Sequence, residues 1–260
     1  MKIQLVLFGY AGVEPATYLS MNKEIFHILE QRYPVTNQLK YQVHHSCFYG
    51  DADIGRARSK VVAEFLKNQF DVLVMVDHDI IWRPGDLLHL AVKAHENRAI
   101  VGGMVSKRNV NCGIASHLEA PFDQSWLGTD RLLPTKYVGA GMMAVTREIA
   151  EAVCGFRECR GDWINPFLQF FDDNGIYMSE DWAFSRRAQM LGFRTLLSTF
   201  PVTGHIGSFV YTVETAAAPA PAQAPTTDNM QQETKQASAP TSGVVNPLAP
   251  PPPIQSAVRL

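Results

Sequence analysis

The sequence predicts an α/β domain with a mainly parallel sheet flanked by helices, followed by a disordered tail, on three observations. Short β-rich apolar runs alternate with longer segments of helical spacing, the rhythm of strands joined by crossover helices. One run, Val72-Leu73-Val74-Met75-Val76, is apolar throughout, as a strand covered on both faces must be. Composition then breaks near residue 214: residues 214–260 hold nine of the sixteen prolines and no aromatic residue. Such a segment cannot bury enough apolar surface to offset the entropy of ordering it.

In chain order, Ile3 to Phe8 reads as a buried first strand. Gln4 interrupts the apolar run and no small-residue cleavage pattern follows, so an export signal is not expected. Thr17 to Arg32 carries helical spacing, Tyr41 to Ser46 reads as a strand, and Gly55 to Gln69 as a helix with Val61, Val62, Phe65 and Leu66 toward the sheet. Asp71 to Asp77 is the central strand. A helix follows Pro84, whose ring suits a first turn, with Leu87, Leu88, Leu90 and Ala91 buried, and Ala99 to Val105 is the next strand. The second half reads as a strand from Tyr137 to Thr146, helices over Arg147 to Val153 and Glu180 to Leu191, and a strand from Phe193 to Ser198. The folded unit is placed at residues 1–213, with 214–260 as a Pro/Ala/Gln/Thr-rich tether, partner-binding arm or dispensable extension.

Charge and cysteine usage narrow the class. With 23 basic and 25 acidic residues the formal charge is -2, which excludes nucleic-acid binding by bulk charge. No uncharged apolar stretch approaches the ~18 residues a membrane-spanning helix needs. Cys47, Cys112, Cys154 and Cys159 show no C-x-x-C spacing, which suits a reducing cytoplasm better than a disulfide scaffold.

Three motifs carry chemistry. Asp77-His78-Asp79 stands where the most apolar strand ends, and ligands of open α/β sheets gather at the carboxyl ends of strands. Paired carboxylates there suit a hard divalent cation that bridges protein to diphosphate, although acidic turns also follow strands for backbone reasons. Ser179-Glu180-Asp181-Trp182 opens a helix, so its acids serve either the helix dipole or proton transfer. Gly204-His205-Ile206-Gly207 offers a late imidazole, a metal ligand only if partners converge on it. A Gly-rich phosphate loop of either common type is absent from the sequence.

In this order the motifs resemble those of GT-A glycosyltransferases, most of all the small bacterial and phage enzymes related to glycosyltransferase family two. The resemblance runs from about Ile3 to Gly207 and also takes in Arg56-Ala57-Arg58-Ser59, Val101-Gly102-Gly103-Met104 and Val138-Gly139-Ala140-Gly141-Met142-Met143. It implies a Rossmann-like GT-A fold and a metal-dependent transfer of a sugar from a nucleotide-sugar donor, UDP-sugar favoured, to an acceptor hydroxyl, with inversion favoured and retention left open. Asp77 and Asp79 match the family's Asp-x-Asp, which binds Mn²⁺ (or Mg²⁺) and through it the donor diphosphate, and His205 matches a further metal ligand. Asp181, with Glu180, matches the acceptor-side pair whose Asp acts as base. Arg58 and the loop around Tyr10 match nucleotide-binding positions, while Gly139, Ala140 and Gly141 match small residues beside donor sugar and acceptor. Ser59 departs from the commoner Asn, and His78 from a smaller residue; alternation along an extended segment would turn His78 away from the two aspartates. The lack of a convincing export signal, with the sparse cysteines, gives a cytoplasmic expectation, in the host cytoplasm if phage-encoded; the resemblance leaves the acceptor open among a saccharide, a protein and a modified base.

Two rivals stand beside this reading. A nucleotidyltransferase of similar fold would carry a basic Gly-rich loop, whereas Gly9 to Glu14 holds no Lys or Arg. A non-catalytic carbohydrate-binding or virion-associated protein would have no use for Asp77, Asp79, Asp181 and His205 together.

Overall fold

The computed structural model describes residues 1–34, 36–108, 113–156, 159, 164–207 and 210–212. The expected tail, Glu214 to Leu260, lies outside the described residues, as do Cys112 and Trp163. The elements are β1 (Lys2–Gly9), α1 (Pro15–Glu30), β2 (Gln42–Tyr49), α2 (Ile54–Lys67), β3 (Val72–Asp77), β4 (Ile80–Ile81), α3 (Asp86–Asn97), β5 (Ala99–Met104), β6 (His117–Leu118) and β7 (Leu132–Tyr137). There follow β8 (Met142–Thr146), α4 (Arg147–Cys154), β9 (Phe170–Phe171), β10 (Tyr177–Met178), α5 (Glu180–Met190), β11 (Arg194–Val202), β12 (Gly204–Ile206) and β13 (Val210–Thr212).

An eight-stranded sheet in the order β2-β1-β3-β8-β5-β11-β7-β6 forms the centre. Only β8 and β7 run against the other strands, β8 being inserted antiparallel between β3 and β5. The expected α/β class, with a mainly parallel sheet flanked by helices, is borne out. Alternation along β1 explains both layers: Ile3, Leu5 and Leu7 pack with Met21 and Ile28 of α1 and with α3, while Val6 and Phe8 pack with α2, α4 and α5. The five apolar residues from Val72 to Val76 are fully buried, as an interior strand between two helical layers requires. Among the described residues no helix is long and apolar enough to cross a membrane.

Two expectations need correction. Tyr137 to Thr146 is not one strand: β7 pairs with β11 and β8 lies between β3 and β5, so Val138 to Gly141 must carry the chain across the intervening strands. Glycine in β5 makes that passage fit, because a Cβ on Gly102 would come 2.4 Å from Val138 Cγ1. Nor does Pro84 open α3. Gly85 adopts a left-handed φ of 93°, which no helix continues through, and the helix begins at Asp86.

Gly85 has no side chain with which to cap α3, and Glu24 of α1 supplies the cap instead. Its carboxylate accepts from Gly85 N at 2.8 Å and Leu88 N at 2.9 Å, tying α1 to the helix that covers the same face of the sheet. Burial lifts the Glu24 carboxyl to about 7 against these two donors, with Asp86 adding to the rise. The folded protein therefore holds this proton to higher pH than the unfolded chain. The resulting stabilisation is complete below the ordinary value of 4.5 and lost as pH rises through about 7. Urea unfolding from pH 4.5 to 8 should show wild type losing on the order of 2–3 kcal/mol that Glu24→Gln does not lose. At pH 5 the Gln variant should be less stable by about 1–3 kcal/mol, since its NH₂ faces a backbone N–H. An unchanged pH slope in the variant would assign the proton to another group.

Candidate active site

The chain passes from β1 through α1 to β2 on one side, then through α2 to β3 on the other side of β1. Strand order reverses there, and a crevice opens beyond the carboxyl ends of these three strands. It holds a cavity of about 270 Å³. Its lining combines apolar side chains, Phe8, Phe48, Ile54 and Ala57, with charged or titratable ones, Asp51, Asp77, His78, Asp79, Arg108 and His205. Gly9 and the exposed Tyr10 form the rim. Gly9 is confined to glycine, since a Cβ would lie 2.1 Å from Gly12 O.

Asp77 ends β3 and is held by Arg58 of α2, whose Nη2 donates to Asp77 Oδ1 at 2.7 Å. Nη1 of the same guanidinium donates to Glu180 Oε1 at 2.6 Å. Arg58 is 3% exposed and does not line the cavity, so it joins the end of β3 to the first turn of α5. Burial raises the Glu180 carboxyl above the ordinary glutamate range, Asp181 adding to the effect and Arg58 opposing it. Asp181 is fixed separately. Its Oδ1 accepts from Ser179 Oγ at 2.5 Å and Trp182 N at 2.9 Å, and its Oδ2 accepts from Ala140 N at 3.2 Å. Ser179 thus stands at the start of α5 without capping it through its side chain. The Gly139 to Gly141 segment closes this side, Gly141 O accepting from Asp77 N at 3.1 Å.

Asp79 is nearly buried, and two groups converge on it. Arg108 Nη1 lies 2.9 Å from Oδ2 and His205 Nε2 lies 3.4 Å from Oδ1. His205 is aimed from behind by a 2.7 Å hydrogen bond between Nδ1 and Ser106 O, and β12 is held in place by Ile206 N donating to Asp79 O at 2.7 Å. Burial would raise the Asp79 carboxyl, but His205, His78 and Arg108 together hold it below the usual aspartate range. Burial pulls the His205 imidazole down, and the Asp79 carboxylate and Ser106 carbonyl more than reverse it, leaving a net rise. His78 lines the same cavity as both aspartates, against the expectation from alternation, because residues 78–79 form a turn between β3 and β4 instead of extended chain.

The fold therefore brings Tyr10, Asp77, Asp79 and His205 to one cavity, and sets Glu180, Asp181, Gly139, Ala140 and Gly141 beside Asp77 without lining it. Among the described residues no three His, Cys, Asp or Glu side chains gather closely enough to hold a metal. Trp82 is buried in the core, while Trp182, next to Asp181, stacks on Tyr137 with ring centroids 4.8 Å apart. Sequence reasoning missed Phe48, Asp51, Ile54, Ala57 and Arg108. The strand expected to end at Ser46 runs on to Tyr49, which moves the loop that follows it, whereas Lys107-Arg108, a basic pair separated by one residue from the expected strand end at Val105, is a legible signal.

Neither a protein-family model nor a curated protein matches the sequence. Among solved structures the chain is similar to A197 from STIV, with 15% identity, 80% of this chain and 86% of that chain covered, and a TM-score of 0.51. At that identity the likeness shows the fold. GalNAc-T7, crystallised with UDP, GalNAc and Mn²⁺, follows at 11% identity and a TM-score of 0.49, over 79% of this chain and 44% of that one. The chain thus spans less than half the length of GalNAc-T7. Apo UDP-glucose pyrophosphorylase matches at 10% identity and a TM-score of 0.44, over 78% of this chain and 93% of that one.

Removing the buried guanidinium strands two carboxylates. Arg58→Met should lower the free energy of unfolding by about 3–5 kcal/mol in urea titrations. A loss under about 1 kcal/mol would mean that Asp77 and Glu180 find other partners.

Proposed function

We propose that the chain is a metal-dependent glycosyltransferase, which moves a sugar from a nucleotide-sugar donor, UDP-sugar favoured, to an acceptor hydroxyl with inversion. The observation that carries this reading is Asp79 and His205 facing one another in a cavity at the carboxyl ends of β1, β2 and β3. His205 Nδ1 is engaged with a carbonyl, which only accepts, so Nε2 is the atom turned toward the Asp79 carboxylate. A carboxylate oxygen and an imidazole nitrogen are donors that suit Mn²⁺ or Mg²⁺, ions that take their remaining ligands from diphosphate and water.

Asp79 and His205 would hold the ion, and Asp77, its Oδ1 held by Arg58, would keep negative charge in the same cavity. When bound, the ion supplies positive charge against the negative charge that grows on the departing diphosphate. The apolar side chains of Phe8, Phe48, Ile54 and Ala57 receive the base, with Tyr10 over the rim. Asp181 takes the proton of the acceptor hydroxyl as that oxygen bonds to the anomeric carbon and the bond to diphosphate breaks. Its three hydrogen bonds to Ser179, Trp182 and Ala140 fix the carboxylate where the acceptor must arrive. Arg58 and Glu180 are positioning residues: they hold Asp77 and the start of α5.

A panel of UDP- and GDP-sugars, each with and without Mn²⁺, tests this directly. One donor should release its nucleotide only with the metal, and Asp79→Ala should abolish Mn²⁺-dependent UDP binding. Asp181→Asn should slow transfer by about 10²–10⁴-fold with UDP affinity unchanged. UDP affinity that survives Asp79→Ala would remove the metal assignment, and a panel with neither binding nor turnover would leave a non-catalytic scaffold.

A further inference from the structure

Asp79 is neutralised in this structure by a cation of the chain's own. The Arg108 side chain is 51% exposed and reaches an aspartate only 6% exposed. Its stem passes over Gly207, where a Cβ would sit 3.2 Å from Arg108 Cδ. The hydrogen bond from Nη1 to Ile206 O is stretched to 3.5 Å and anchors little. Arg108 thus stands at Oδ2 of the same carboxylate whose Oδ1 faces His205. A divalent ion seated between Asp79 and His205 would add two positive charges beside the guanidinium, which would then be repelled. The arginine end of the pair is half exposed, and the arriving cation would take over the neutralising of the buried carboxylate, so Arg108 can leave without stranding a charge. The freed guanidinium already lines the cavity that also contains Tyr10, Phe48 and Asp77, and a diphosphate there would offer it the paired oxygens that a guanidinium binds best.

We propose that Arg108 is an exchangeable counter-ion, which neutralises Asp79 until a divalent cation arrives and then pairs with the donor diphosphate instead. This inference rests on the nucleotide-sugar reading above. It makes metal and diphosphate reinforce one another: metal alone displaces Arg108 with no anion to receive it, while metal together with diphosphate gives it a new partner.

Calorimetric titration of the full chain with MnCl₂ alone, and with UDP at saturating MnCl₂, separates the possibilities. Arg108→Gln should bind Mn²⁺ alone about 5-fold or more tightly than wild type, and UDP with Mn²⁺ about 5-fold or more weakly. Lys107→Gln, which alters the neighbouring exposed cation outside the cavity, should match wild type. A damaged fold would weaken both affinities, so opposite shifts identify the exchange. Unchanged affinities in Arg108→Gln, a parallel loss of both, or the same pattern in Lys107→Gln would overturn it. If wild type binds Mn²⁺ and UDP normally in those cases, the nucleotide-sugar reading stands and only the exchange is lost. Wild type that binds neither would remove that reading and the exchange together.

Discussion

A guanidinium does not shed its proton inside a protein, so burying one obliges the fold to bring carboxylates to it. Arg58 is that group. It draws Asp77 from the end of β3 and Glu180 from the start of α5, residues that lie 19 and 122 positions away in the chain. The consequences spread outward. Asp77 is left with one oxygen committed, Glu180 is tied down, and the first turn of α5 is set against the carboxyl end of β3. Asp181, one residue further along, then meets the backbone N–H of Ala140, and the crossing segment Val138 to Gly141 is held beside Asp77 at its other end.

The two aspartates of the Asp-x-Asp motif have opposite surroundings. Asp77 faces a buried, fixed cation, whereas Asp79 faces an exposed arginine and a histidine whose far nitrogen is anchored on Ser106. Asp77 ends β3 and Asp79 lies in the turn that follows, and the two take different partners. One carboxylate is locked for position and the other is held by a partner that can leave. That division suits a site in which a cation and an anionic ligand must enter together.

The fold was legible where burial on two sides imposes a pattern. A strand between two helical layers has no polar face, hence Val72 to Val76, and helices over a sheet show a single apolar stripe, hence Val61, Val62 and Phe65 in α2. Reading failed where the chain departs from its period. Tyr137 to Thr146 looks like one β-rich run, yet it holds parts of two separated strands and a glycine-bearing crossing between them. His78 looked extended and is in a turn, and Pro84 looked like a helix start that the left-handed Gly85 defers by two residues.

Chain order and residue type by themselves determined that carboxylates would stand at the carboxyl end of a buried strand and at a helix start, with an imidazole near the end of the domain. These are local facts, carried by hydrophobic period and by the chemistry of single side chains. Only the tertiary structure decided the pairings: Arg58 with Asp77 and Glu180, His205 and Arg108 with Asp79, Asp181 with Ala140. Coulomb attraction and hydrogen bonding act over a few ångströms of space, and no period along the chain encodes which residues a hundred positions apart will come that close.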